Sequence, residues 1–106
     1  MKRGSVWWVE FDPSVGSEIQ KTRPAVIVSN DLANKFLPRV VVIPLTSNVS
    51  RLYPGETVIT INGIKNKAMS DQIMSADKSR LKSEIAILSD NDILSLEAAM
   101  KRFLDL

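Results

Sequence analysis

The sequence predicts a mainly β fold: a small, curled, largely antiparallel sheet with short helices and one C-terminal α-helix. Three observations carry that expectation. Apolar, β-branched runs of strand length recur, most clearly at residues 25–28 and 40–43. An Asn62-Gly63 pair follows the alternating residues 57–61, a strong hairpin signal. Only the last segment, after Ser89, spaces its apolar residues with a helical period.

Size and composition bound the rest. The chain has 106 residues, so one domain spanning 1–106 is expected. Hydrophobic residues make up 44% and charged residues 25%, an ordinary globular balance that argues against wholesale disorder. There is no cysteine, hence no disulfide and no thiolate nucleophile. There is no histidine either, which removes the usual general base near neutral pH and the commonest metal ligand. A Ser-His-Asp triad is excluded, and no metal or other cofactor is expected. The net charge of +2 permits a nucleic-acid partner without demanding one. No apolar stretch approaches membrane-spanning length and nothing resembles a signal peptide, so a soluble cytoplasmic protein is the expectation.

Taken in order, residues 5–11 read as a half-buried strand, with Val6, Trp8 and Glu10 on one face and Trp7, Val9 and Phe11 on the other. Asp12-Pro13-Ser14 begins a turn, and Gly16 adds backbone freedom. A polar loop then runs from Ser17 to Thr22. It is long for a hairpin connection, and such loops more often carry function. Lys21-Thr22-Arg23-Pro24 feeds the next strand, residues 25–29. Pro24 lacks an N–H and suits the first position of a strand. It also pushes Arg23 towards extended backbone. Arg23 is therefore expected at the lip of the sheet, its guanidinium outside the core.

Asn30-Asp31 can cap a short helix through Leu37, with Leu32, Phe36 and Leu37 on its inner side. Residues 40–46 form another buried strand, in which Pro44 suggests a bulge or an edge. Pro54-Gly55 marks a turn. After the Asn62-Gly63 turn, residues 64–68 are mixed and basic, and 68–74 are expected to return as the partner strand carrying Asp71 and Gln72. Residues 77–81 look like one helical turn and 84–88 like a short strand. Ser89 to Asp92 is close to a capping box, and Ile93, Leu96, Met100, Phe103 and Leu104 form the helix's apolar stripe.

Several short motifs occur in one order along the whole chain: Arg3-Gly4, Val6-Trp7, Asp12-Pro13, Gly16-Ser17-Glu18, Thr22-Arg23-Pro24, Thr46-Ser47, Asp71-Gln72-Ile73 and Asp77-Lys78. This pattern resembles the MazF/PemK (Kid) toxins, the endoribonuclease halves of type II toxin–antitoxin systems. The resemblance implies an SH3-like β-barrel of the MazF/CcdB type and a homodimer. It implies cleavage of single-stranded RNA, without metal, at short sequence motifs. It also implies a cognate antitoxin whose acidic tail lies across the RNA groove.

RNA carries its own nucleophile, the 2′-hydroxyl. Cleavage then needs orientation, a proton acceptor and charge on the phosphoryl oxygens, which positioning and electrostatics can supply. Arg23 matches the family's catalytic arginine, and its planar fork suits a phosphate. Thr46 matches a threonine whose hydroxyl can bond the scissile phosphate or the 2′-hydroxyl. Asp71 matches an acidic position used in catalysis or base contact, and with Glu18 it is a candidate proton acceptor. The loop residues Ser17, Glu18, Gln20, Lys21 and Thr22 are expected to read RNA. Asn30, Ser47, Asn48 and Gln72 are further candidate contacts to bases or phosphates. Trp7 and Trp8 could stack bases. They lie on opposite faces, and both are assigned to structure.

The sequence departs from the family at three places. Some members carry histidine where Ser17 stands, and some carry arginine where Met69 stands. Many have Arg-Thr at Met74-Ser75. An acid–base scheme built on that histidine and that arginine does not transfer, and the change at Met74-Ser75 removes one positive charge from the expected groove. The alternative is a non-catalytic gyrase poison of the CcdB type on the same scaffold. The chain's end, Phe103-Leu104-Asp105-Leu106, lacks the Trp-Gly-Ile tail that such poisons carry.

Overall fold

The computed structural model describes residues 1–106. Seven strands make one curled antiparallel sheet: β1 (Ser5–Glu10), β2 (Thr22–Ile27), β3 (Arg39–Thr46), β4 (Glu56–Ile61), β5 (Ile64–Met69), β6 (Met74–Asp77) and β7 (Leu81–Ile87). Two helices complete it, α1 (Asp31–Phe36) and α2 (Asp90–Leu104). The strand order is β4-β5-β3-β2-β1-β7, with β6 also paired to β3. The expected mainly β class is what forms, as a half-barrel.

The unbroken apolar run after Pro24 has a simple cause. Val26 and Val28 enter one hydrophobic cluster, with Val6, Ile43, Leu45, Ile59 and Leu96. Ala25 and Ile27 enter another on the opposite face, with Val9, Phe11, Val40, Val42 and Leu81. β2 is covered on both sides, so successive residues are all apolar.

β3 is central, which corrects the expectation that Pro44 marks a bulge or an edge. Val28 N donates to Val41 O at 2.9 Å, so odd-numbered residues of β3 turn their peptide groups towards β2. Pro44 therefore faces the other neighbour. On that side β6 pairs with residues 39–42 and β5 with Leu45 and Thr46. The missing N–H falls at the switch between two partners, where no ladder bond is lost.

The hairpin signal is realised: Asn62 (φ 49°) and Gly63 (φ 80°) form a two-residue turn, and Ile61 pairs with Ile64. The returning strand thus begins at residue 64, not 68. The basic stretch is itself β5. Ser70, Asp71 and Gln72 form a 3₁₀ turn after it, so Asp71 does not lie on a strand.

The short helix α1 reverses its expected face. Leu32, Phe36 and Leu37 are exposed, while Asn34 is buried. Six residues give too small an apolar stripe to orient a helix, and a polar network decides instead. Asn34 Nδ2 donates to Ser29 O at 2.9 Å, the Ser29 hydroxyl donates to Asn34 Oδ1, and Lys78 Nζ donates to Asn34 O.

The C-terminal helix α2 forms as expected, with Ser89 Oγ accepting from Asp92 N at 3.2 Å. Asp92 Oδ2 accepts from Thr60 N at 3.0 Å and ties the helix start to β4. Leu96 and Ala99 are buried, and Ile93 and Met100 pack on the first cluster. Phe103 and Leu104 are partly exposed, with the Phe103 side chain lying against Gly55 just before β4. No helix is long and apolar enough to cross a membrane.

Candidate active site

Strand ends build the site. β2 begins at Thr22, just after Lys21 takes a left-handed turn (φ 64°). Ala25 pairs with Pro44. The ladder between β2 and β3 ends at that pair, and Arg23 and Thr46, the last residue of β3, lie two residues beyond it on their own strands. On the other side of β3, Thr46 pairs with Lys67 of β5.

Arg23, Thr22 and Thr46 line one groove of about 580 Å³. Ser47 and Asn48, in the loop after β3, and Trp8 and Pro24 line it too. No carboxylate lines it. Arg23 is exposed, and Arg23 Nε donates to Gln20 O at 3.3 Å. None of the molecule's three ion pairs involves it. The rest of its fork is free to meet an anion. Thr46 Oγ1 accepts from Asn48 N at 3.2 Å, which leaves its O–H to donate.

A second, acidic depression of about 370 Å³ adjoins the groove, and Ile19 borders both. Ser17, Glu18, Asp71 and Gln72 line it over a floor that includes Phe11 and Met74. Gln72 Oε1 accepts from Ile19 N at 2.7 Å and pins the polar loop to the 3₁₀ turn. Glu18 Oε1 accepts from Val15 N at 2.7 Å. Asp71 is exposed and forms no hydrogen bond or ion pair within the molecule.

The structure therefore brings Arg23, Thr46, Ser47, Asn48 and Thr22 together and sets Asp71, Glu18, Ser17 and Gln72 beside them. Gln20, Lys21 and Asn30 line neither cavity. Asn30 caps α1, its Oδ1 accepting from Ala33 N at 2.7 Å.

Among the groove residues that the sequence does not single out, two differ from what their types suggest. Trp7 fits its structural assignment, packing on the second cluster with Nε1 donating to Ser5 Oγ at 3.0 Å. Trp8 does not: it is 42% exposed and lines the groove. The signal was present, since Trp8 shares its strand face with the charged Glu10. The second is Lys67, buried and lining the groove although it is a lysine. No local pattern marks it, because its partners come from 11 and 16 residues away.

Known proteins are similar to this chain in architecture and in sequence. Residues 2–104 match the family model described as a PemK-like, MazF-like toxin of type II toxin–antitoxin systems. The endoribonuclease MazF9 of Mycobacterium tuberculosis is 39% identical, over 100% of this chain and 98% of that protein. The endoribonuclease MazF of Staphylococcus saprophyticus is 34% identical, over 94% and 88%. Among solved structures, MazF from Deinococcus radiodurans superposes with a TM-score of 0.87 at 23% identity, covering 100% of this chain and 97% of that one. A mycobacterial endoribonuclease solved in complex with its cognate antitoxin gives 0.84 at 20% identity, covering 100% and 96%. These two likenesses speak for the fold, and the family match and the 39% relative for descent. The chain belongs to the PemK-like, MazF-like toxin family of type II toxin–antitoxin systems.

Proposed function

We propose that this protein is an endoribonuclease toxin that cleaves single-stranded RNA, with the RNA 2′-hydroxyl as nucleophile. One observation carries the reading above the family membership. A guanidinium without an ion pair, Arg23, and a hydroxyl, Thr46, line the same open groove, which holds no carboxylate. Such a groove attracts a phosphodiester and repels nothing in it.

In the reaction, the 2′-oxygen bonds to phosphorus as the bond to the 5′-oxygen breaks. The products are a 2′,3′-cyclic phosphate, which hydrolyses slowly to a 3′-phosphate, and a 5′-hydroxyl. Arg23 stabilises charge developing on the non-bridging oxygens, where a rigid fork outperforms a point charge. Thr46 donates its hydroxyl to the phosphate and fixes its approach. The proton of the 2′-hydroxyl falls to a carboxylate, which later returns it to solvent, and the departing 5′-oxygen takes a proton from water in the open groove. Asp71 is the better candidate than Glu18, since Glu18 already has one oxygen engaged with Val15 N. A strand crossing Ile19 would lie over both cavities. Trp8 offers a stacking surface, Ser47 and Asn48 offer groups for base edges, and Gln72 and the loop from Ser17 extend the reading surface.

The same reading includes a homodimer acting in the cytoplasm. It also includes a cognate antitoxin whose acidic segment occupies the carboxylate-free groove and competes with RNA. The test is incubation with a long single-stranded RNA in EDTA, with the ends of the products identified. Discrete cuts leaving cyclic phosphate and 5′-hydroxyl ends are expected. Folded protein that leaves the RNA intact, or leaves 5′-phosphate ends, overturns the proposal.

A further inference from the structure

The loop of residues 47–55 carries Ser47 and Asn48 along the groove, yet most of its length makes few bonds to the sheet. One side chain gathers it. Lys67 Nζ donates to Arg51 O at 2.8 Å and to Glu56 Oε1 at 3.1 Å, and lies 5.2 Å from the centre of the Tyr53 ring. Glu56 Oε1 also accepts from Tyr53 N at 2.6 Å. The middle of the loop, its end and the start of β4 all converge on one ammonium, which projects from the residue paired with Thr46. Both charged side chains are nearly buried, at 10% and 5% exposure.

A lysine in an RNA groove would ordinarily be read as a phosphate contact. This one has other occupations. Two of its three donors are committed, and the Glu56 carboxylate neutralises its charge at contact distance. Burying a charged pair is also a poor way to gain stability compared with apolar packing.

We propose that Lys67 is a positioning residue: it clamps the 47–55 loop so that Ser47 and Asn48 are held against the groove before RNA arrives. The groove's use for RNA rests on the endoribonuclease reading; the clamp itself does not. Pre-ordering a binding loop lowers the cost of association, so its loss should raise KM more than it lowers kcat.

Arg51 makes the clamp directly readable. Trypsin cuts after Arg51, and the carbonyl of that bond is the one Lys67 holds. In Lys67→Met, kept at a temperature where circular dichroism shows it folded, trypsin should cut the 51–52 bond about tenfold faster than in wild type. KM for a single-stranded RNA should rise about tenfold while kcat stays within about threefold. Lys67→Arg, which keeps charge and donors, should recover much of both losses. If Lys67→Met does not fold, Glu56→Gln serves, since it loosens the pair and keeps an acceptor for Tyr53 N.

Wild-type trypsin rates in a folded variant overturn the clamp. Faster cutting with an unchanged KM overturns its role in the groove and leaves only a structural one. Wild-type protein that cuts no RNA overturns the endoribonuclease reading instead, and the trypsin comparison still decides the clamp.

Discussion

Replacing Arg23 with alanine separates catalysis from stability more cleanly than any other change in this groove. The guanidinium's hydrogen bond to the protein is long, 3.3 Å to Gln20 O, and it has no ion pair. Its loss should therefore cost no more than an ordinary surface substitution, about 0.5 kcal/mol. For a chain of 106 residues that is a melting shift of about 2 °C. The catalytic cost is far larger. A unit charge about 4 Å from a phosphoryl oxygen, at an effective dielectric of about 20, contributes about 4 kcal/mol, or close to a thousandfold in rate. Losing a comparable preorganised donor elsewhere costs about a hundredfold to a thousandfold, so the two routes agree. Arg23→Lys should fall between, because it keeps the charge and loses the fork. The assay is single-turnover cleavage of an end-labelled oligonucleotide with one cut site, beside a thermal melt of the same samples. An Arg23→Ala protein that cleaves within threefold of wild type refutes the assignment. A melt lowered by 10 °C or so would equally refute the premise that the guanidinium is free.

Two further experiments probe the scaffold. Gly55 has φ +85°, and a Cβ built there would sit 2.7 Å from Phe103 Cδ1, so Gly55→Ala should destabilise by about 2 kcal/mol, read by urea denaturation. Adding Phe103→Ala should return the steric part of that loss and leave the backbone part. The Asp77 carboxylate is held below its usual value of 3.8, first by the Ser79 hydroxyl and then by the Ser79 N–H. A lowered folded-state pKa contributes stability above the unfolded value and loses it as pH falls through the folded value. Asp77→Asn should therefore be less stable than wild type at pH 7, and the difference should close as the pH drops below the usual carboxylate range. A gap that stays constant from pH 7 to pH 2.5 would contradict this.

What the sequence made legible, and what it hid, divides by the range of the forces involved. The Asn62-Gly63 turn and the Ser89 cap are local, and each formed where the pattern put it; the apolar run after Pro24 is a strand, but β2 spans Thr22–Ile27 rather than 25–29, and Pro24 is its third residue, not its first. Arg23 at the lip of the sheet followed from Pro24 alone. The start of β5 was misplaced because Lys65 and Lys67 look unlike strand residues; Lys67 is made tolerable by Glu56 and Arg51, which no window around it contains. The face of α1 was inverted for the same reason. Asn34 finds partners in Ser29 and in Lys78, and the second lies 44 residues away. Trp8 differs, since its alternation with Glu10 already pointed outward and its size argued inward. That Arg23 and Thr46 line one groove follows from β2 lying beside β3, which only the folded sheet supplies.

The sheet register also explains where the groove opens. β3 has one partner on its β2 side and two in succession on the other. It leaves β6 after Val42, passes Pro44 with no N–H to satisfy, and takes up β5 at Leu45 and Thr46. The exchange lets the end of β3 turn away with the β4–β5 hairpin while β2 begins beside it. Thr46 and Arg23 come to lie at the mouth of that divergence, with backbone held by ladders behind them and open space in front. A chain without histidine has little choice of acid–base groups, and its rate must come from charge and dipoles held still. On the proposed reading, the place in this sheet that does so is the one where a central strand changes partners, with Pro44 at the change.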